Sequence, residues 1–284
     1  MTRGTLRRFW MGLLTILHIA PRGFFIPYRY ADQIADTLPN SFEGVRALYA
    51  KVEPDFRDLL AHMNTLESAL CAIGDLPSPA PRWQQDWFAG LDAAAAYAMV
   101  HKHAPRRIVE IGCGHSTRFF ARAVSDGGLN TRITAIDPAP RADLEGVGVK
   151  FVKATVQNVG MVHFDDLERG DVLSIDSSHI AMPGTDVDIL LNRVLPRLPD
   201  GVLIHIHDMF LPDGYPASWS WRGYNEQLAV AALMEGGGYR PLWASYYART
   251  RMQEAIDASR VARSLPVPGD TYESSLWLIK EGSA

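Results

Sequence analysis

Apolar positions change their spacing near residue 107. Before it they recur at helical intervals. Phe56, Leu59, Leu60, Met63, Leu66, Leu70 and Ile73 form one stripe at the 3.6-residue period, the mark of a helix with a buried face. An amphipathic run opens at Ser41-Phe42-Glu43 and continues through Val52. Pro54 is expected as the first residue of a second helix, where its missing N–H costs nothing. Gly74 is the expected stop, and Asp75-Leu76-Pro77-Ser78-Pro79-Ala80-Pro81 cannot continue a helix, so residues 75–81 form the expected linker. An alanine-rich helix is expected over about 83–103, ended by Pro105.

After residue 107, short β-branched runs alternate with helical segments. Strands are expected at 108–111, 133–136, 149–152, 172–175 and 202–206, then at 242–247 and 275–279. Helices are expected near 117–124, 187–195 and 225–234. Continuous apolar strands between helices imply a parallel sheet covered on both faces, an open doubly wound α/β fold. The chain thus divides into a helical N-terminal region, 1–82, and an α/β domain, 83–284. No internal repeat is visible.

Composition narrows the class. The formal net charge is −4, so a whole-chain electrostatic grip on nucleic acid is not expected. Two cysteines, Cys71 and Cys113, exclude a disulfide framework and a multi-thiolate zinc site, and make a reducing, cytoplasmic compartment the default. The N-terminus is distinctive. Arg3, Arg7, Arg8, Arg22 and Arg29 all precede the first acid, Asp32, and they bracket the apolar run 9–20. That run spans about 18 Å as a helix, too short to cross a bilayer. A basic start and apolar run suit a signal peptide, but Ile19-Ala20-Pro21-Arg22 lacks a small-x-small cleavage site. Two readings of a helix over 7–20 stay open. It lies in a membrane interface as a weak peripheral contact on the inner face, or it packs on the body of the protein.

In a doubly wound sheet, ligands bind beyond the carboxyl ends of the strands. The first such end reads Glu110-Ile111-Gly112-Cys113-Gly114-His115-Ser116-Thr117. Gly112 and Gly114 allow a tight turn and close backbone approach, and Ser116 or Thr117 is placed to cap the next helix. The third glycine of a dinucleotide fingerprint is replaced by Thr117, and the carboxylate of Glu110 suits a cationic ligand group better than a pyrophosphate. Asp137 ends the second strand, 27 residues after Glu110, where an acid can accept both hydroxyls of a ribose. Asp176 closes the fourth strand and is followed by His179; His207 and Asp208 close the fifth. Carboxylate with imidazole can bind a divalent cation or move protons near neutral pH. His205 is expected to be structural and His207 functional. His115 lies within the glycine turn as a further ligand candidate. The aromatic loop after Asp208, with Phe210, Tyr215, Trp219, Trp221 and Tyr224, reads either as a lid without regular structure or as a self-packed surface loop.

These four motifs, Glu-Ile-Gly-Cys-Gly-His-Ser-Thr, Ala-Ile-Asp-Pro, Gly-Asp-Val-Leu-Ser-Ile-Asp-Ser-Ser-His and Gly-Val-Leu-Ile-His-Ile-His-Asp, resemble the class I S-adenosylmethionine-dependent methyltransferases, in the branch with a small-molecule methyltransferase domain. The resemblance covers about 83–284. It implies a Rossmann-like sheet of seven strands with the last antiparallel, and S-adenosyl-L-methionine as cofactor. Carried over, Glu110, Gly112 and Gly114 would face the methionyl part, Asp137 the ribose and Thr155 the adenine, with Ser116 also a cofactor-binding residue and Asp176 the closing wall of the pocket. Related metal-assisted O-methyltransferases carry acids at the fourth and fifth strand ends. Asp176 and Asp208 match as ligands for Mg2+ or another divalent cation, while His207 stands where an acid is expected. Methyl transfer to a small-molecule, glycan or lipid-linked acceptor, at oxygen, follows, with His179, His207 and Asp208 as catalytic candidates. The alternative is a cofactor-binding or membrane-associated protein without turnover. A homo-oligomer is compatible with either.

Overall fold

The computed structural model describes residues 3–34, 41–74, 76–269 and 271–282. Asp75, in the expected linker, lies outside the described residues. Seven strands form one sheet: β1 (Arg107–Ile111), β2 (Arg132–Ile136), β3 (Lys150–Val152), β4 (Val172–Ile175), β5 (Leu203–Ile206), β6 (Tyr239–Ala244) and β7 (Leu276–Lys280). Their order is β3-β2-β1-β4-β5-β7-β6. β7 alone runs antiparallel, to both β5 and β6, and the other neighbours pair in parallel. The order reverses between β1 and β4, so the carboxyl ends of these strands open a crevice between diverging connections. β4 and β5 are buried along their whole length, as continuous apolar runs require when helices cover both faces.

Helices α1 (Arg3–Ile16), α2 (Glu43–Thr65), α3 (Glu67–Cys71), α4 (Gly90–His103) and α5 (His115–Asp126) precede or follow β1. Pro54 does not start a helix but lies inside α2. Its side is exposed, as is Ala50 one turn earlier. An interior proline costs about 3 kcal/mol. The buried stripe Val45, Tyr49, Phe56, Leu59, Leu60 and Met63 runs on across it, and that packing outweighs the cost. The alanine-rich helix begins at Gly90 rather than near Trp83. Before it, the Gln85 side chain takes over the local backbone groups, its Oε1 accepting from the N–H of Trp87 and of Phe88, both at 2.8 Å. The sixth strand also ends earlier than expected, because Ser245–Arg251 is helical. Residues 186–197 are split into a turn of α-helix, a π-helical stretch and a 3-10 turn rather than one regular helix.

A single hydrophobic cluster runs from Val45 to Leu278, so α2 and α3 share the core of the sheet, while α1 contributes no residue to it. Phe56 marks the junction. It is fully buried, and its ring centroid lies 5.6 Å from that of Trp243 and 6.0 Å from that of Tyr49. Phe56→Ala is therefore expected to cost about 3–5 kcal/mol of stability for the whole domain. Urea unfolding followed by far-UV circular dichroism checks this; a separate early transition of α2 and α3 would contradict the shared core.

Candidate active site

The turn after β1 is built on one close approach. Gly112 has φ +73, and a Cβ there would stand 2.0 Å from the carbonyl oxygen of Asp176. Only glycine permits both. The Asp176 N–H donates to Ile111 O at 2.8 Å and the Gly112 N–H to Ile136 O at 3.0 Å, so the ends of β1, β2 and β4 are locked together.

Glu110 is fully buried beneath this turn. Ser116 Oγ and Thr117 Oγ1 each donate to its carboxylate at 2.6 Å, and the Gly114 N–H donates to Thr117 Oγ1 at 2.9 Å. Thr117 is thus the residue that reaches back to the start of α5. Ser116, the other expected cap, instead turns its hydroxyl inward. Asp137, at the end of β2, accepts from the Cys113 N–H at 2.9 Å and the Ala139 N–H at 2.6 Å. It is half-buried, and each oxygen retains a free lone pair. Thr155 starts the short helix Val156–Val159 beyond β3, with Asn158 Nδ2 donating to its hydroxyl at 3.2 Å. His115 Nδ1 is buried with no hydrogen-bond partner among the described residues.

Beside the glycine turn, the ends of β4 and β5 carry a cluster of alternating charge. His179 is central. Its Nδ1 lies 2.8 Å from Glu226 Oε2, and its Nε2 lies 3.2 Å from Asp176 Oδ1 and 3.4 Å from Asp208 Oδ2. Asp176, His179 and Asp208 can each offer one atom within 4.8 Å of the others, the spacing a cation needs. His207 forms a second arm. Its Nε2 is 3.2 Å from Asp92 Oδ2, and its Nδ1 is 3.4 Å from Asp208 Oδ1. Asp92 is fully buried on α4 and also accepts from the N–H groups of Ser274 and Ser275, at 2.9 and 2.8 Å. His179 (φ +61) and Asp208 (φ +57) both hold left-handed backbone, which costs a non-glycine residue about 1–2 kcal/mol.

The same surroundings set the charges. Burial pushes the His207 imidazole down, but Asp208, Asp92 and Asp176 outweigh it and hold it up at about 9. Burial also opposes charge on His179; its hydrogen bonds to Asp176 and Glu226 and the nearby Asp208 raise it well above the usual histidine range. His205, between Ser174 Oγ at 2.8 Å and Ser275 Oγ at 2.9 Å, is driven down to about 3 by burial and by the charge of His207. It is neutral and structural, held within the sheet by hydroxyls on β4 and just before β7.

Asp176, His179, His207 and Asp208 come together on a cleft of about 440 Å³. Gly112 and Asp137 occupy the adjoining strand ends. Trp87 with Arg141 forms one wall, the guanidinium 4.2 Å from the indole centroid. Trp219, Arg222 and Tyr224 form another. The aromatic loop is not wholly irregular: Ala217–Arg222 is a 3-10 helix, with Arg222 4.0 Å above Trp219. Sequence reasoning missed Asp92, Glu226, Arg141 and Arg222. Asp92 did leave a signal, as the single acid in the apolar run Gly90-Leu91-Asp92-Ala93-Ala94. Glu226 left none, since an acid in the first turn of a helix is ordinary.

Residues 109–209 match the family model of a methyltransferase domain, and the matched span contains all four motifs. Among curated proteins no sequence matches the chain. Solved structures that match the chain include the SAH-bound methyltransferase PaMTH1 of Podospora anserina, at 15% identity over 92% of this chain and 100% of that one, TM-score 0.43. Another is the plantazolicin methyltransferase BpumL with SAH, at 15% identity over 66% and 82%, TM-score 0.39. A third is an O-methyltransferase of Bacillus cereus with SAH, at 14% identity over 79% and 91%, TM-score 0.38.

Glu110 makes a test of the turn itself. Burial, opposed by the two hydroxyls, pushes its carboxyl up from 4.5 to about 8. The folded state then holds a proton that the unfolded chain releases near 4.5, so this group's contribution to stability is complete below 4.5 and is lost as pH rises through about 8. The slope in between approaches about 1.4 kcal/mol per pH unit. Glu110→Gln, which keeps the shape and both polar partners, should flatten that part of the profile. Denaturant unfolding of the two proteins across the window checks it, and parallel profiles would contradict the burial of a protonated carboxyl.

Proposed function

With a methyltransferase domain in residues 109–209 as the premise, we propose that this protein transfers a methyl group from S-adenosylmethionine to an oxygen of a small-molecule or lipid-linked acceptor held in the cleft. One observation carries the reading. His179 stands between Glu226 at Nδ1 and two strand-end carboxylates at Nε2, on the cleft wall and next to the glycine turn.

The residues fit the cofactor. The backbone approach that Gly112 alone permits leaves the crossing of β1 and β4 free of side chains, and Asp137 keeps acceptor capacity for a ribose. Gly112 and Gly114 would lie along the methionyl part, with Ser116 and Glu110 bracing the turn from below and Thr155 toward the adenine. When bound, the sulfonium supplies an electrophilic methyl group, so the protein's task is to place the acceptor in line and exclude water.

The acceptor oxygen must lose its proton. Glu226 accepts at His179 Nδ1, which fixes the tautomer with the proton on Nδ1 and points the Nε2 lone pair at the cleft once that atom is deprotonated. Nε2 is then either the proton acceptor or a metal ligand. Four carboxylates (Asp92, Asp176, Asp208, Glu226) surround only two imidazoles, His179 and His207, which leaves the cluster receptive to further positive charge. A divalent cation on Asp176, His179 and Asp208 would stabilise an acceptor alkoxide by its charge. His207, like His179, is held charged by the carboxylates around it, so either ring takes up a proton only after losing its own; the part assigned to His207 is to orient Asp208 and stabilise developing negative charge. Arg222 Nε is buried without a hydrogen-bond partner among the described residues, and Arg141 also lines the cleft, so a planar acceptor bearing an acidic group suits the walls.

Titration calorimetry with S-adenosylmethionine is the direct test. Binding is expected, weakened about tenfold or more in Asp137→Ala; absence of binding to the native protein would overturn the proposal. His179→Ala and Asp208→Asn are expected to leave that affinity near native while lowering turnover by about 10²–10⁴. Turnover on a responsive acceptor, with and without Mg2+ after chelation, measures this. Unchanged rates in both variants would take the cluster out of the chemistry.

A further inference from the structure

We propose that the N-terminal segment 3–34 is a docking surface for an anionic membrane, and that it holds the wall of the cleft beside the lipid. No described helix is long and apolar enough to cross a bilayer, so the contact lies at the interface. α1 has two faces. Gly4 and Arg8 turn toward the protein: a Cβ on Gly4 would stand 2.8 Å from the Trp221 ring, and Arg8 donates to Ser220 O at 2.8 Å. Leu6, Phe9, Trp10, Ile16 and Leu17, spaced at i, i+3, i+4, i+10 and i+11, point away and are each more than half exposed. The chain then continues through Phe24, Phe25, Ile26 and Tyr28, exposed to 58, 67, 62 and 58%. A soluble monomer rarely leaves so continuous an apolar surface uncovered.

Charge selects the occupant. Arg3, Arg7, Arg22 and Arg29 flank this surface, with Arg8 turned to the protein, and no acid occurs before Asp32, in a chain whose overall charge is −4. Apolar side chains that insert, ringed by arginines that stay at head-group level, are the two signals stable interfacial binding requires. A second copy of the same surface would set arginines against arginines. The face of α1 that packs inward rests on the 3-10 helix Ala217–Arg222, whose Trp219 and Arg222 line the cleft. Docking therefore brings the cleft's aromatic wall to the membrane plane.

Co-sedimentation of the full chain with phosphatidylcholine vesicles, with and without phosphatidylglycerol, tests this. Binding is expected only with the anionic lipid, and it should weaken as salt rises. Arg7→Gln with Arg22→Gln should reduce it by about fivefold per arginine, and Phe24→Ser with Phe25→Ser should abolish it. Absence of binding to anionic vesicles overturns the proposal, as does equal binding to both. So does a dimer in analytical ultracentrifugation that the phenylalanine variant splits, since the surface would then be a self-interface. Calorimetry with S-adenosylmethionine on the same preparations separates this result from the catalytic reading, because neither variant touches the cleft.

Discussion

The site depends on burying carboxylates and imidazoles in alternation. From Asp92 on α4 the chain of contacts passes to His207, to Asp208 and Asp176, to His179 and finally to Glu226. An isolated charge of either sign at these depths would be costly. Each is tolerated because the next group carries the opposite sign. The arrangement draws on α4, β4, β5 and the helix Glu226–Glu235, so the elements that make the sheet's upper rim are tied to one another through the site. The backbone of His179 and Asp208 is strained for the same reason: the cluster dictates where those side chains must be, and the surrounding packing over-determines the turn.

A division of labour follows along the rim. β1 and β2 offer backbone and a single carboxylate: Gly112 clears space and Asp137 keeps lone pairs free. β4 and β5 offer titratable groups. The boundary between the two halves is the crossing of Gly112 and Asp176, where a methyl group would collide with a carbonyl oxygen. On the proposed reading, cofactor recognition would fall to one side and proton handling to the other, since the donor is already activated and only the acceptor must be prepared. The two walls, each an arginine over a tryptophan, add planar and cationic surface without entering that chemistry.

The N-terminal helices illustrate how the same pattern can serve opposite ends. The stripe of α2 is covered by Trp243, Tyr247 and α4, and has become core. The stripe of α1 has no cover, because the side carrying Gly4 and Arg8, not the apolar one, meets the protein. Amphipathicity alone does not distinguish the two. What distinguishes them is the row of arginines without acids around α1, against the mixed charges of α2.

Much was determined by local sequence. The strands and their parallel character follow from continuous apolar runs, and the glycine turn, Asp137, Asp176 and Asp208 follow from their places at strand ends. These features depend on neighbours in the chain, so periodicity and spacing expose them. Other features depended on partners 47 to 182 residues away, such as His179 with Glu226 and Asp92 with Ser274, and no local pattern records such a pairing. Tertiary packing also overrode local preference at Pro54, where a buried stripe outweighed a broken hydrogen bond, and at Trp83–Phe88, where one glutamine side chain replaced a helical turn. Local sequence therefore determined which strand-end groups reach the rim, and tertiary packing brought Asp92 and Glu226 to them. Only the folded structure decided which of them are charged, because charge at that depth is set by what lies opposite each group.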